Sequence, residues 1–138
     1  MREILFRGKA KDGKWYFGDL VQFKSGFVYI QSKEEGKSNY VLPETVGQYT
    51  GLNDKNGKNI FEGDIIKVTT LDTGDERKAI IGFGNFIDGN SGDVYIGFYI
   101  EFEGIKVTIT QLAMKEVKDC FEVIGNIHGN PELLEVEE

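Results

Sequence analysis

Cysteine and histidine are almost missing from this sequence: Cys120 and His128 stand alone in 138 residues. One cysteine excludes an internal disulfide, and no Cys/His cluster exists to hold zinc. Asp119 precedes Cys120, and its charge opposes thiolate formation, so a reactive thiol is not expected. A catalytic pairing of His128 needs Ser25, Ser32, Ser38, Ser91 or Cys120 beside it, and the spacing singles out none of them. Long apolar runs are missing too. No segment approaches the ~20 residues of a membrane-spanning helix. The charged opening MREILFRGKAKDGKW lacks the apolar stretch of a secretory signal. An intracellular protein without cofactor, metal or membrane contact is expected.

Positive charge is in the minority, with 16 Lys/Arg against 23 Asp/Glu. Such a chain repels a phosphate backbone, so non-specific binding to duplex DNA at physiological salt is not expected. The balance is uneven. Residues 1–46 hold 8 Lys/Arg and 6 Asp/Glu, a net of +2, whereas residues 47–138 hold 8 and 17, a net of −9.

What the chain does have is glycine, 18 residues of it, set between aromatic and β-branched runs. That mixture predicts short strands joined by tight turns, a mainly β fold. Strand signals recur at EILFRG (3–8), KWYFGDLVQF (14–23) and FVYIQS (27–32), a β-meander with Gly18 marking a bulge or bend. Pro43 keeps the preceding residues extended. KAIIGFGNF (78–86), DVYIGFYIEF (93–102), IKVTITQL (105–112) and FEVIGNI (121–127) continue the series, with Glu103-Gly104 as a hairpin turn. AMKEVKDC (113–120) reads as one or two helical turns. Asn130 as N-cap and Pro131 at the first helical position predict a short C-terminal helix.

The stretch NDKNGKNIFEGD (53–64) combines the residues of a calcium loop, a phosphate cradle and a tight turn. With Gly57 at loop position 6 of a calcium loop, Leu52 falls at position 1 and Gly63 at position 12, so both terminal ligands are missing. The Lys-Ser/Thr end of a phosphate loop is missing as well. Turn chemistry remains: Asn56-Gly57 is a type I′ signal, and Gly63-Asp64 redirects the chain into IIKV. Residues 11–21 (KDGKWYFGDLV) echo 55–66 (KNGKNIFEGDII), as two local solutions to entering a strand or as a duplication.

Two constellations carry candidate chemistry. Trp15, Tyr16 and Phe17 lie near Lys9, Lys11 and Lys14, the one place where rings and cations interleave as a single-strand binder requires. Alternation lets Trp15 and Phe17, or Tyr16 alone, face the core. Glu101 with Glu103, or Asp72 with Asp75 and Glu76, offers carboxylates to a divalent metal, against the reading as a solvated acidic face. In DVYIGFYIEF large residues occupy both faces of a strand, so one face needs a partner to cover it.

The blocks REILFRGKAKDGKWYFGDL (2–20), VLPETVGQYTGLNDKNGKNIFEGDIIKV (41–68) and FEVIGNIHGNPELL (121–134) resemble the YopX-type proteins of phages and prophages of Gram-positive bacteria. The resemblance implies a mainly β protein of the bacterial cytoplasm, with an SH3-like barrel around EGDIIKV. It carries no settled activity and no catalytic residues; residues 69–107 hold no recognised motif. The expected organisation is a β-meander with an extended connector over 1–46, then an SH3-like barrel with a helical tail over 47–138. The expected function is non-enzymatic, through phage or host protein contacts or a homo-oligomer. The alternatives are a nucleic-acid module in phage DNA metabolism using Lys9, Lys11, Lys14 and Trp15, and a metal-dependent enzyme built on the acidic loop.

Overall fold

The computed structural model describes residues 3–70, 73–109 and 117–134. Their strands are β1 Phe6–Lys9, β2 Trp15–Gln22, β3 Val28–Gln31, β4 Ser38–Val41, β5 Gly47–Asn53, β6 Asn59–Phe61, β7 Asp64–Thr69, β8 Glu76–Ile87, β9 Val94–Phe102, β10 Ile105–Thr108 and β11 Phe121–Asn126. One helical turn, α1 (Val117–Cys120), precedes β11. The chain is mainly β and divides into two compact units, Met1–Gly51 and Leu52–Glu138. The division falls inside β5, whose first residues, Gly47 and Gln48, pair with Arg7 and Phe6 of β1.

In the first unit β1 to β4 run as a meander, and β5 adds beside β1 to give the order β4-β3-β2-β1-β5. Alternation sends Val28, Ile30 and Val41 to a small core, joined by Phe6, Tyr16, Leu20 and Val46. Each fully buried aliphatic side chain there contributes about 1.5–3 kcal/mol. Pro43 opens a 3-10 turn, Pro43–Thr45, rather than extended chain, its missing N–H being harmless at the first helical position. Thr45 Oγ1 accepts from the Lys9 amide at 2.8 Å and donates to the Leu42 carbonyl at 2.6 Å, closing the turn onto β1.

The second unit holds an antiparallel sheet in the order β10-β9-β8-β7-β11. Its core is Ile60, Ile66, Ala79, Ile81, Ile100, Ile109, Cys120 and Phe121. Cys120 is thus a packing residue. The expected SH3-like barrel is not a closed barrel: β8 and β9 run on past the core as a two-stranded ribbon. At the opposed pair Gly84 and Gly97 neither residue carries a side chain, and the ribbon tip returns to β10. There Gly89 N–H donates to the Lys106 carbonyl at 2.8 Å. The expected short C-terminal helix is a single 3-10 turn over the described residues, Pro131–Leu134. Asn130 stands at its cap position, its carbonyl accepting from the Leu133 amide at 3.1 Å, while its Oδ1 turns back to accept from the Asn126 amide at 3.4 Å.

One turn design recurs. At Ala10–Lys14, Phe23–Phe27 and Asp54–Lys58 the first amide donates to the fifth carbonyl, and the fourth residue, a glycine, donates back to the first. That glycine is left-handed, with φ +91° at Gly13, +100° at Gly26 and +80° at Gly57. Asn56 therefore is not half of a type I′ pair; the turn is type I closed by a left-handed glycine. The type I′ turn is at Glu103-Gly104, φ +47° and +87°, where the side-chain alternation of β9 ends. Glu103 for that reason does not share a strand face with Glu101. The echo between 11–21 and 55–66 holds through this turn and then fails. Gly18 lies inside β2, whereas Gly63 separates β6 from β7.

Candidate functional site

Buried aspartates do the structural work that the sequence concealed. Asp54 is buried; its Oδ1 accepts from the amides of Asn56 and Lys58, each at 2.9 Å, and its Oδ2 from the Val123 amide at 2.9 Å. The Lys55 amide donates to the Phe121 carbonyl. The turn thus occupies the outer edge of β11, and NDKNGK is an edge cap, not an ion cradle. Asp64 accepts from the Phe61 amide at 2.7 Å. Gly63, with φ +91°, is held between the Ile81 carbonyl and the Ile127 amide. Asp88 repeats the Asp54 arrangement at the ribbon tip: Oδ1 accepts from Asn90 and Ser91, and Oδ2 from Thr108 on β10 at 2.9 Å.

These amide bonds, the one from Thr108 first, hold the Asp88 carboxyl below its ordinary value of 3.8. A depressed carboxyl stabilises the fold above the unfolded value and ceases to do so as pH falls through the folded one. The urea midpoint should therefore drop on acidification below about pH 4, and Asp88→Asn should flatten that part of the profile.

The Lys/aromatic constellation is only partly assembled. Lys9 pairs with Trp15 across β1 and β2. Lys11 and Lys14 lie in the intervening turn. Tyr16 points to the core, which puts Trp15 and Phe17 on the opposite face. The Arg7 guanidinium lies 4.9 Å from the centre of the Trp15 ring and takes one of its faces. Of the acidic constellation, Asp72 lies outside the described residues, Glu76 is 3.6 Å from Lys67, and Glu101 is 4.0 Å from Lys106. Among the described residues no three His, Cys, Asp or Glu side chains converge on a cation-sized space. His128 sits in a turn where its amide donates to Asn126 Oδ1 at 3.0 Å.

Two exposed apolar surfaces stand out instead. On the ribbon, the face that carries Ile81 opposite Ile100 in the core continues as Phe83 opposite Phe98, Asn85 opposite Ile96, and Ile87 opposite Val94. Phe98 packs on the core. Beyond it Phe83 is 49% exposed, Ile87 67%, Val94 73% and Ile96 77%. No charged residue interrupts this strip. The opposite face carries Phe86 against Tyr95 and Tyr99, with the Lys106 ammonium 4.7 Å from the Tyr99 ring centre.

The second surface is on the first unit, behind the core strands. Tyr29 pairs with Val21 and Tyr40 across β2, β3 and β4. Phe23 meets Tyr29 edge-on at 5.4 Å, Tyr29 meets Tyr40 at 5.8 Å, and Tyr40 meets Phe27 at 5.9 Å. Phe23 and Phe27 are each 54% exposed and Tyr40 39%. The only carboxylate on β2, β3 and β4 is Asp19, and Lys33 neutralises it at 2.6 Å.

The model of the YopX protein family matches residues 5–135, which takes in both units. The chain belongs to the YopX family. Among curated proteins nothing matches it. Among solved structures it is similar to the crystal structure of protein EF1440 from Enterococcus faecalis. The identity is 25% and the TM-score 0.54, over 98% of this chain and 100% of that one. Membership in the YopX family thus covers the edge cap, the ribbon and the aromatic face together. Among the described residues no helix is long and apolar enough to cross a membrane.

Proposed function

We propose that this YopX-family chain is a non-enzymatic accessory protein of phages and prophages that works in the bacterial cytoplasm through protein contacts, including contacts with copies of itself. One observation carries the reading: the core face of β8 and β9 runs on into solvent as Phe83, Ile87, Val94 and Ile96 without a charge to keep it wet. Contiguous apolar surface of this kind marks interaction sites in soluble proteins. Light scattering on the full chain at high micromolar concentration and low salt should give a mass above 15.5 kDa; a mass equal to it rejects self-assembly. Salt should slow assembly more than dissolve it, since charge sets encounter rate while apolar area sets affinity.

A second reading has an observation of its own. The chain of ring contacts through Phe23, Tyr29, Tyr40 and Phe27 supports it, since single-stranded nucleic acid binds by stacking bases on aromatic side chains, and these rings lie on the unit with a net charge of +2. A fluorescent oligonucleotide titrated at physiological salt separates the readings; random-sequence duplex should not bind.

A further inference from the structure

We infer that the ribbon strip of one copy docks on the aromatic face of another, so that assembly is head-to-tail. The inference rests on the proposed self-assembly and names its two surfaces: Phe83, Ile87, Val94 and Ile96 on one side, and Phe23, Phe27, Tyr29 and Tyr40 on the other. The four strip residues and Phe23, Phe27 and Tyr40 are exposed and Tyr29 is half-buried, so among the described residues neither surface is fully covered.

Charge selects this pairing over the two self-pairings. Met1–Gly51 holds 8 Lys/Arg and 6 Asp/Glu, and Leu52–Glu138 holds 8 and 17. Strip on strip brings two units of −9 together; aromatic face on aromatic face joins two of +2. Strip on aromatic face joins −9 to +2, the only attractive combination. The strip carries no charge, and the carboxylate on the strands of the aromatic face, Asp19, is already paired with Lys33, which limits the cost of burying ions. A contact between unlike surfaces leaves one of each open on a dimer. It therefore goes on to close a ring or grow a filament.

The test uses two variants of the full chain, Ile96→Lys and Phe27→Lys, at side chains already more than half in water, with circular dichroism to confirm that both fold. Each variant should raise the apparent dissociation constant of assembly at least tenfold. Mixed in equal amounts, the two should form a heterodimer and stop there. The intact strip of the Phe27→Lys copy meets the intact aromatic face of the Ile96→Lys copy, while the other pair of surfaces opposes lysine to lysine. If wild type assembles but Phe27→Lys assembles equally well, the strip pairs with itself and the inference fails while self-assembly stands. It fails likewise if the two monomeric variants do not combine. A monomeric wild type overturns both. Loss of oligonucleotide binding in Phe27→Lys, with assembly unchanged, assigns the aromatic face to nucleic acid and overturns the pairing.

Discussion

Gly18→Ala should lower the stability of the first unit by about 3 kcal/mol, the upper end of what overpacking costs. An alanine Cβ at this position lies 2.0 Å from the Gln31 carbonyl oxygen and 2.7 Å from its carbon. Both obstacles are backbone, so no side chain can turn away. Gly18 is also where β2 changes partners. Up to Gly18 it pairs with β1, and from Asp19 it pairs with β3, starting at Gln31. The added methyl must therefore open the β2–β3 ladder beside Ile30, which is fully buried. Gly13→Ala is the matched control. Its backbone is left-handed at φ +91°, and nothing lies within 4 Å of its Cβ. That variant meets only the conformational strain, about 1 kcal/mol. Trp15, the single tryptophan, lies on β2 and reports unfolding of this unit in urea. Equal midpoints for the two variants would show that β3 yields freely to the methyl.

Strand existence was legible wherever apolar residues alternated between glycine-bearing turns. FVYIQS became β3, and IKVTITQL supplied β10, because burial of one face sets a period of two that any reader can see. The turn glycines were legible for a similar reason, since a left-handed residue tolerates little else. The turn type was not. Asn-Gly suits both a type I′ pair and a type I turn closed by glycine. The choice went to Asp54, two residues before Asn56, whose carboxylate accepts from the Asn56 and Lys58 amides as an Asx turn that competes with the Asn-Gly signal. Barrel closure was illegible because it depends on where β8 and β9 outrun their neighbours, a matter of tertiary register. The strip had a visible signal in DVYIGFYIEF, large residues on both faces. The aromatic face had the same signal in FVYIQ, where Phe27 and Tyr29 alternate with the buried Val28 and Ile30. Trp15 drew attention by its chemistry, yet its ring is shared with Arg7, a pairing across strands that is not written in either segment alone.

Asp54→Ala should cost about 4 kcal/mol, because hydrogen bonds to a buried charged group are worth ~1.5–3 kcal/mol each and do not add fully. Three amides lose their acceptor: Asn56, Lys58 and, 69 residues away, Val123. The first two only tighten a turn, but the third lies on the outer side of β11, the edge of the second sheet. With the carboxylate gone, that edge offers a free N–H to any strand that passes, the situation that edge strands are built to avoid. The variant should therefore be both less stable and more prone to concentration-dependent association, and its Val123 amide should exchange with solvent far faster than in wild type. Asp54→Asn should fall between, since one amide oxygen remains to serve either the turn or β11 but not both. Asp19→Ala is the surface counterpart. Its carboxylate also makes a short contact, 2.6 Å to Lys33, but the pair is about half exposed on both sides. An exposed ion pair is worth at most about 1 kcal/mol, so a drop at Asp19 equal to that at Asp54 would reject the edge-cap account.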